Sequence, residues 1–412
     1  MHARPIDAPH DMLLPGTRPE LERESFCRSL TNYLETQARP RLRELYDREV
    51  APALRQSLGR EPARRDIAEA MREQPANHLW YAMRSASQRM SYEASAAVIE
   101  RQRPELIARA AAPRAARGSL TLDPTLTPPR YVSALETHLM PGGYLREYAP
   151  GDVTAGALFD RQMTVNRLGS QGPLNDDPGV SIAAWLRAQF RAFAPRRILE
   201  LGCTVGHNLL PFAQAWPGAE LHRIDVSAPC LRYAHARAEA LGVAAHFSQQ
   251  DAEATRFESG SFDLVFSRIL MHETSPAAVP RIFAECHRLL APGGLVFHSD
   301  APQFDELEPY VAALRDWDTR CNNEPFMERW YDWPVEDELA SAGFARETMF
   351  RGWAASLHVA ASGVDPKLNR SGGRYFLIGA ARRTGTRDPM VAVTPRAVAS
   401  GRDWSADRSH PS

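Results

Sequence analysis

Lysine is almost absent from this chain. Of its 49 cationic residues only Lys367 is a lysine, and the 50 acidic residues bring the formal net charge to −1. Without a basic excess there is no field to gather nucleic acid, and without an acidic excess there is none of the self-repulsion typical of disordered chains. The arginine bias, with abundant alanine and proline, reflects genome composition, since no single function needs it. Cysteine is sparse too. Cys27, Cys203, Cys230, Cys286 and Cys321 are odd in number, scattered, and form no Cys-x-x-Cys pair. That argues against a disulfide framework and a structural zinc site, and for a reducing compartment. No apolar run approaches the roughly 20 residues that span a bilayer. The opening MHARPIDAPHDMLLPG lacks the basic-then-apolar order of a secretory leader. There is no internal repeat and no low-complexity block. The expectation is a cytoplasmic protein with no membrane partner.

What is present is an ordinary globular composition, 44% hydrophobic and 24% charged, over 412 residues. That length exceeds what one hydrophobic core usually serves, so two domains are expected. Residues 1–24, rich in Pro and charge, read as a flexible arm. From Phe26, apolar residues recur at helical spacing (Leu30, Tyr33, Leu34, Leu42, Leu45), and further helices fit 66–73 and 78–100, with Pro62, Pro75 and Pro104 between them. Residues 25–165 are therefore expected as a mostly helical domain acting as substrate-binding lid. The turn-rich NRLGSQGPLNDDPG places a linker at 166–180. Residues 181–383 form the second domain, with an aromatic insertion at 304–344, and 384–412 read as a flexible tail.

The second half alternates strand and helix. Short apolar strands begin at Ile198, Leu221, Ala245, Phe262 and Leu295, separated by helical patterns, one of them capped by Ser227 and stopped by Gly242. Such βαβα order implies a parallel, doubly wound sheet. Two late strands, near 347–353 and 374–380, would bring it to seven.

The most informative segment is Glu200-Leu-Gly-Cys-Thr-Val-Gly206, at the end of the first of these strands, where ligands of open α/β sheets bind. Gly202 and Gly206 permit a tight turn and close backbone approach. Thr204 and His207 stand where a dinucleotide fingerprint needs glycine, which weakens the pyrophosphate reading. Asp225 closes the second strand, where a carboxylate can accept both ribose hydroxyls; a helix-terminal carboxylate beside Ser227 is the structural alternative. Asp251-Ala252 follow the third strand, where a carboxylate can accept from the adenine amine, or simply form a turn.

With ELGCTVG, HRIDVS, QQDAEA, SFDLVFS and LLAPGGLVF in this order, residues 197–302 resemble the class I S-adenosylmethionine-dependent methyltransferases, nearest to the small-molecule branch of the ubiquinone and menaquinone biosynthesis type. The resemblance implies an α/β, Rossmann-like, seven-stranded methyltransferase sheet behind the helical domain. It implies that Glu200 and the loop Gly202, Cys203, Thr204 to Gly206 hold the methionine and sulfonium end, that Asp225 and Val226 meet the ribose and Asp251 with Ala252 the adenine, and that Ser267 lies beside them. Thr204 departs from the family's usual glycine. Cys203 reads better as a small apolar filler than as a nucleophile.

For the chemistry, His272 and Glu273 follow the fourth strand, in the loop that the fold turns toward the sulfonium. His272 has an intrinsic pKa suited to general-base work and Glu273 could orient it; the alternative is that both merely fix the loop. No second histidine completes a zinc-protease motif, so no metal is expected. The insertion carries Tyr310, Trp317, Phe326, Trp330, Tyr331 and Trp333, which either wall a pocket for a flat or apolar acceptor or pack as core. Tyr144, Arg268, Met271, Trp330 and Tyr331 are candidate acceptor contacts, and Tyr148 and Arg161 candidate lid contacts. The expected activity is methyl transfer to an O or N atom of a small-molecule acceptor, leaving S-adenosylhomocysteine, with no nucleic-acid partner. An RNA or protein methyltransferase and a non-catalytic cofactor-binding protein are the rivals. The sequence is compatible with a homodimer and does not identify the acceptor.

Overall fold

Parallel strands buried on both faces read as unbroken apolar runs, and the chain places eight strands in one sheet. In the computed structural model, which describes residues 10–112, 117–167, 169–364 and 372–383, they are β1 (Ser119–Thr121), β2 (Arg197–Leu201), β3 (Glu220–Asp225), β4 (His246–Gln249), β5 (Phe262–Arg268), β6 (Leu290–Ser299), β7 (Met349–Ala355) and β8 (Arg374–Ala381). Their order is β1-β4-β3-β2-β5-β6-β8-β7, parallel except that β8 runs antiparallel to β6 and β7. The order reverses at β2, between β3 and β5, which creates the crevice at the carboxyl ends of these strands. Phe212, Phe266 and Phe297 stack under this crevice with centroids 4.4 and 5.0 Å apart, each pair adding about 1 kcal/mol beyond its buried area.

The expected seven strands become eight because Ser119–Thr121, from the proline-rich stretch of the first half, pairs in parallel with β4 and closes that edge. Gly118 makes this approach possible: a Cβ there would sit 1.9 Å from the Ala245 carbonyl oxygen.

The N-terminal helices pack directly on the sheet's own helices. Thr154–Asn166 lies against both the long helix Pro75–Arg101 and the helix Ala228–Ala240. At its closest approach stands Gly156, whose Cβ would come within 2.5 Å of Tyr233 Cβ. Helical winding runs from Arg18 to Leu58, with π-helical turns at Leu34–Ala38 and Tyr46–Val50, each just ahead of a proline (Pro40, Pro52). A proline lacks the N–H that an unbroken α-helix would use, and a wider turn lets the helix continue past it.

Two expected boundaries change. Residues 10–24 are not a loose arm: Met12 and Leu14 are fully buried, the helix starts at Arg18, and Glu24 pairs in the interior with Arg161 at 2.6 Å. The 166–180 linker contains the start of a helix at Asp177, whose carboxylate is held by Ser181, Ser356 and Tyr375 at 2.6–3.0 Å. The 304–344 insertion packs as core on both sides: Tyr310 and Trp317 join the N-terminal core of Tyr46 and Trp80, while Trp330 and Trp333 join the sheet's core. The expected tail lies outside the described residues.

Candidate active site

The loop after β2 is built on left-handed backbone, with φ of +64° at Gly202, +47° at Thr204 and +73° at Gly206. A β-branched residue is strained in that region, which is why glycine is preferred where Thr204 stands. The loop is pinned from β3. Asp225 Oδ2 accepts the Thr204 amide at 2.9 Å and Oδ1 accepts the Ser227 amide at 2.8 Å. Burial pushes the Asp225 carboxyl up to about 6 in spite of these two donations. Each carboxylate oxygen has two lone-pair sites, so a buried group in this state still has acceptor capacity for further donors. Ser227 also caps its helix, accepting from the Cys230 amide at 3.2 Å, as the sequence suggests.

Gly202, Thr204, Asp225, Val226, Asp251 and Ala252 all line one narrow cleft at this point. Tyr131, Val132, Thr137 and Tyr144 of the first half roof it, and Gln250 and Glu273 complete it. Four residues expected at the cofactor sit elsewhere. Glu200 is buried under the loop, taking Asn208 at 2.6 Å and Arg223 at 2.5 Å, so it holds the loop's base. Cys203 packs in the sheet's core, and Gly206 gives its carbonyl to Arg237. Ser267 is buried, its hydroxyl 2.8 Å from His298 Nδ1.

A second, larger cavity of about 790 Å³ lies beyond the cleft, walled by strand ends, N-terminal helices and the insertion. Ile269 lines both spaces. It is β-branched, yet its φ is +53°, with its amide held by the Ser299 carbonyl at 2.8 Å. Strain of this kind persists only where the surroundings impose it, and it clusters at functional sites.

Close to Ile269 sits a charge cluster. His138 Nε2 is 2.8 Å from Glu273 Oε1, and its Nδ1 is 2.6 Å from Glu324 Oε1. Burial pulls the His138 imidazole down, but Glu324 and Glu273 outweigh it and carry the group up to about 10. His272 donates Nδ1–H to Asp300; burial is again outweighed, chiefly by Asp300, and the ring rises to about 9. This raised value favours the protonated ring at neutral pH, which counts against the near-neutral base that the sequence suggests. Asp300 rather than Glu273 orients it, and the Glu273 carboxylate instead takes His138 and, at 3.4 Å, the Tyr144 hydroxyl.

Among the candidate acceptor contacts, Arg268 and Tyr331 line the large cavity, while Tyr144 lines the cleft. Met271 and Trp330 do not line either: both are core residues, Trp330 giving its indole N–H to the Ala301 carbonyl at 2.8 Å. Arg161 is spent on Glu24, and Tyr148 lies at the surface with Arg103 and Arg146 over its ring. The sequence reading missed His138, Glu324, Asp300 and Arg167, none of which carries a local motif.

A crevice at the strand-order reversal, a glycine loop, and a carboxylate at the end of each of the next two strands define a nucleoside-binding α/β domain. Its family follows from comparison. Residues 198–294 match the model of the methyltransferase domain family. Over 101 residues the chain is 38% identical to the demethylmenaquinone methyltransferase of Thermus thermophilus, covering 24% of this chain and 45% of that protein. It is 38% identical to a ubiquinone biosynthesis O-methyltransferase of Ralstonia nicotianae, covering 26% of this chain and 43% of the relative. A tRNA N(3)-methylcytidine methyltransferase of Drosophila melanogaster is 27% identical, over 35% of this chain and 45% of its own. The chain spans under half the length of these relatives. Residues 198–294 thus form a methyltransferase domain, similar to S-adenosylmethionine-dependent enzymes of quinone biosynthesis, and the cleft residues fit that cofactor: Asp225 offers a half-buried acceptor for a diol, and the glycine loop offers open backbone.

Proposed function

We propose that the protein methylates an O or N atom of a small molecule bound in the 790 Å³ cavity. The observation that carries this reading is that Ile269 lines both the cofactor cleft and the cavity, so the two spaces share a wall. A cavity of this size lies within the range of about 300–1,000 Å³ that small-molecule sites occupy. Its openness supports transfer over a purely binding role, for which a blocked acceptor space would be the sign.

When bound, S-adenosylmethionine supplies an electrophilic methyl group on a sulfonium. The chain's own residues then do three things. Gly202, Thr204, Asp225 and Asp251 hold the cofactor. Tyr131, Thr137 and Tyr144 cover it and exclude water, which strengthens every charge interaction beneath them. His138 and His272 keep their protons, and the Glu273 carboxylate, at the cleft, is the group placed to receive one from the acceptor. Most of the acceleration comes from alignment.

Calorimetry with S-adenosylmethionine and S-adenosylhomocysteine tests the reading. Micromolar binding by the intact protein, abolished in Asp225→Ala, is expected; no binding by the folded wild type would sink it.

A further inference from the structure

Most charges around the large cavity are matched. Among the carboxylates, Asp300 holds His272, Glu324 holds His138, Glu308 takes Arg43 at 2.8 Å and Glu306 takes Arg351 at 3.1 Å. Among the arginines, Arg39 pairs with Glu35 at 3.2 Å, and Arg374 covers the Trp353 ring at 4.3 Å. Two guanidiniums break the pattern. Arg167, just after the helix Thr154–Asn166, and Arg268, at the end of β5, both line the cavity. Neither has a side-chain hydrogen bond or ion pair among the described residues, and the Nε of each is buried without a partner. Burial lowers both groups from the ordinary arginine range, Arg167 to about 10 with added repulsion from Arg268, and the more distant carboxylates of Glu324 on Arg167 and of Glu200, Asp300 and Asp177 on Arg268 offset this only in part. Two like charges lining one enclosed space with no carboxylate in direct ion-pair contact are costly to the free protein. Such an arrangement is retained where a ligand supplies the missing charge.

We propose that Arg167 and Arg268 form an oxyanion-binding pair, and that the acceptor carries a carboxylate or phosphate group which they hold while its body lies against the aromatic wall. This rests on the methyltransferase reading for the word acceptor, but the site itself does not. The planar guanidinium fork matches both anions with paired N–H donors. The body is expected to be flat or apolar, because Tyr310, Tyr331, Trp353 and Phe376 line the same cavity. Neither arginine is held by the fold in the way Arg223 is, which packs against the rings of Phe212 and Phe266 and binds Glu200. The pair positions the acceptor next to Ile269, since Ile269 follows Arg268 directly in the chain.

The test uses the full chain saturated with S-adenosylhomocysteine and three probes of one shape: benzoate, phenyl phosphate and neutral benzamide. Calorimetry should give at least about tenfold tighter binding for one or both anions than for benzamide, about 1.4 kcal/mol by the affinity relation; which anion wins identifies the head group. In Arg167→Gln and Arg268→Gln that preference should disappear, while S-adenosylhomocysteine affinity stays within twofold. Because the two charges are unmatched in the free protein, both variants should melt at or above the wild-type temperature. Equal binding of benzamide, no binding of either anion at millimolar concentration, or a preference surviving in both variants overturns the proposal. So does a lowered melting temperature with loss of cofactor binding in both variants, which would make the arginines structural. If the wild type fails to bind S-adenosylhomocysteine but still prefers the anions, the methyltransferase reading fails and the oxyanion site stands.

Discussion

The ring nitrogen Nε2 of His207, in the turn after the cofactor loop, lies 2.7 Å from Oδ1 of Asp160 on the helix Thr154–Asn166. Asp160 has other partners. Its Oδ2 accepts the Tyr233 hydroxyl at 2.8 Å and lies 3.2 Å from His10 Nε2 and 3.6 Å from Arg237 Nε. Burial opposes its charge, yet the hydrogen bonds from His10 and His207 hold the carboxyl well below the usual range. One buried carboxylate thus joins the N-terminal segment, the first-half helices, the cofactor loop and a sheet helix.

Asp160→Ala should therefore be among the most damaging single substitutions. Removing one member of a buried charged network leaves the others unpaired, at about 3–5 kcal/mol. Urea denaturation should show that loss, with weakened S-adenosylhomocysteine binding beside it. A change under about 1 kcal/mol would mean that the junction does not depend on this carboxylate.

Thr204→Gly should stabilise the protein. Its φ of +47° is costly for a β-branched residue, and left-handed backbone costs an L-residue about 1–2 kcal/mol, offset partly by glycine's greater chain entropy. A net gain of about 1 kcal/mol in urea unfolding is expected, with the amide bond to Asp225 kept. A loss would show that the threonine side chain makes compensating contacts.

The two histidines predict an alkaline weakness. Their ordinary value is 6.5, and the fold raises His272 to about 9 and His138 to about 10. A group that binds its proton more tightly when folded contributes stability fully below pH 6.5, and that contribution fades as pH rises through 9 and 10. The melting temperature should fall over that window. In His138→Gln it should be lower at neutral pH and decline less steeply, and a wild-type curve flat to pH 10 would contradict the charge cluster.

Asp225 predicts the opposite limb for the cofactor. With its carboxyl at about 6, it is an acceptor above that pH and becomes a neutral acid below it. S-adenosylhomocysteine affinity should therefore fall as pH drops through 6. Asp225→Asn should bind weakly throughout and lose this dependence, as titration calorimetry at several pH values would show.

Much of the architecture was legible beforehand. The strand positions of the second half, the Ser227 cap and the glycine loop follow from neighbours along the chain, and the expected strand ends agree with the observed ones to within a few residues. That Asp225 and Asp251 meet at one cleft was legible for the same reason, since Asp225 ends β3 and Asp251 lies two residues past β4. The eighth strand was not, because Ser119–Thr121 is three residues long and becomes a strand only where β4 offers an edge. Glu200 misled because its position in the motif says nothing of Arg223, twenty-three residues on, which claims the carboxylate.

Taken alone, the sequence determined the cofactor domain: periodicity and turn residues are local properties, and they survive reading in one dimension. The tertiary structure alone decided which charges meet. His138 reaches Glu273 across 135 residues, and Glu324 closes the same cluster from the insertion. Arg167 faces Arg268 from the other half of the chain. In a low-dielectric interior the state of each group is set by the groups beside it. That is why His272 reads in the sequence as a near-neutral base while in the fold Asp300 raises its ring to about 9.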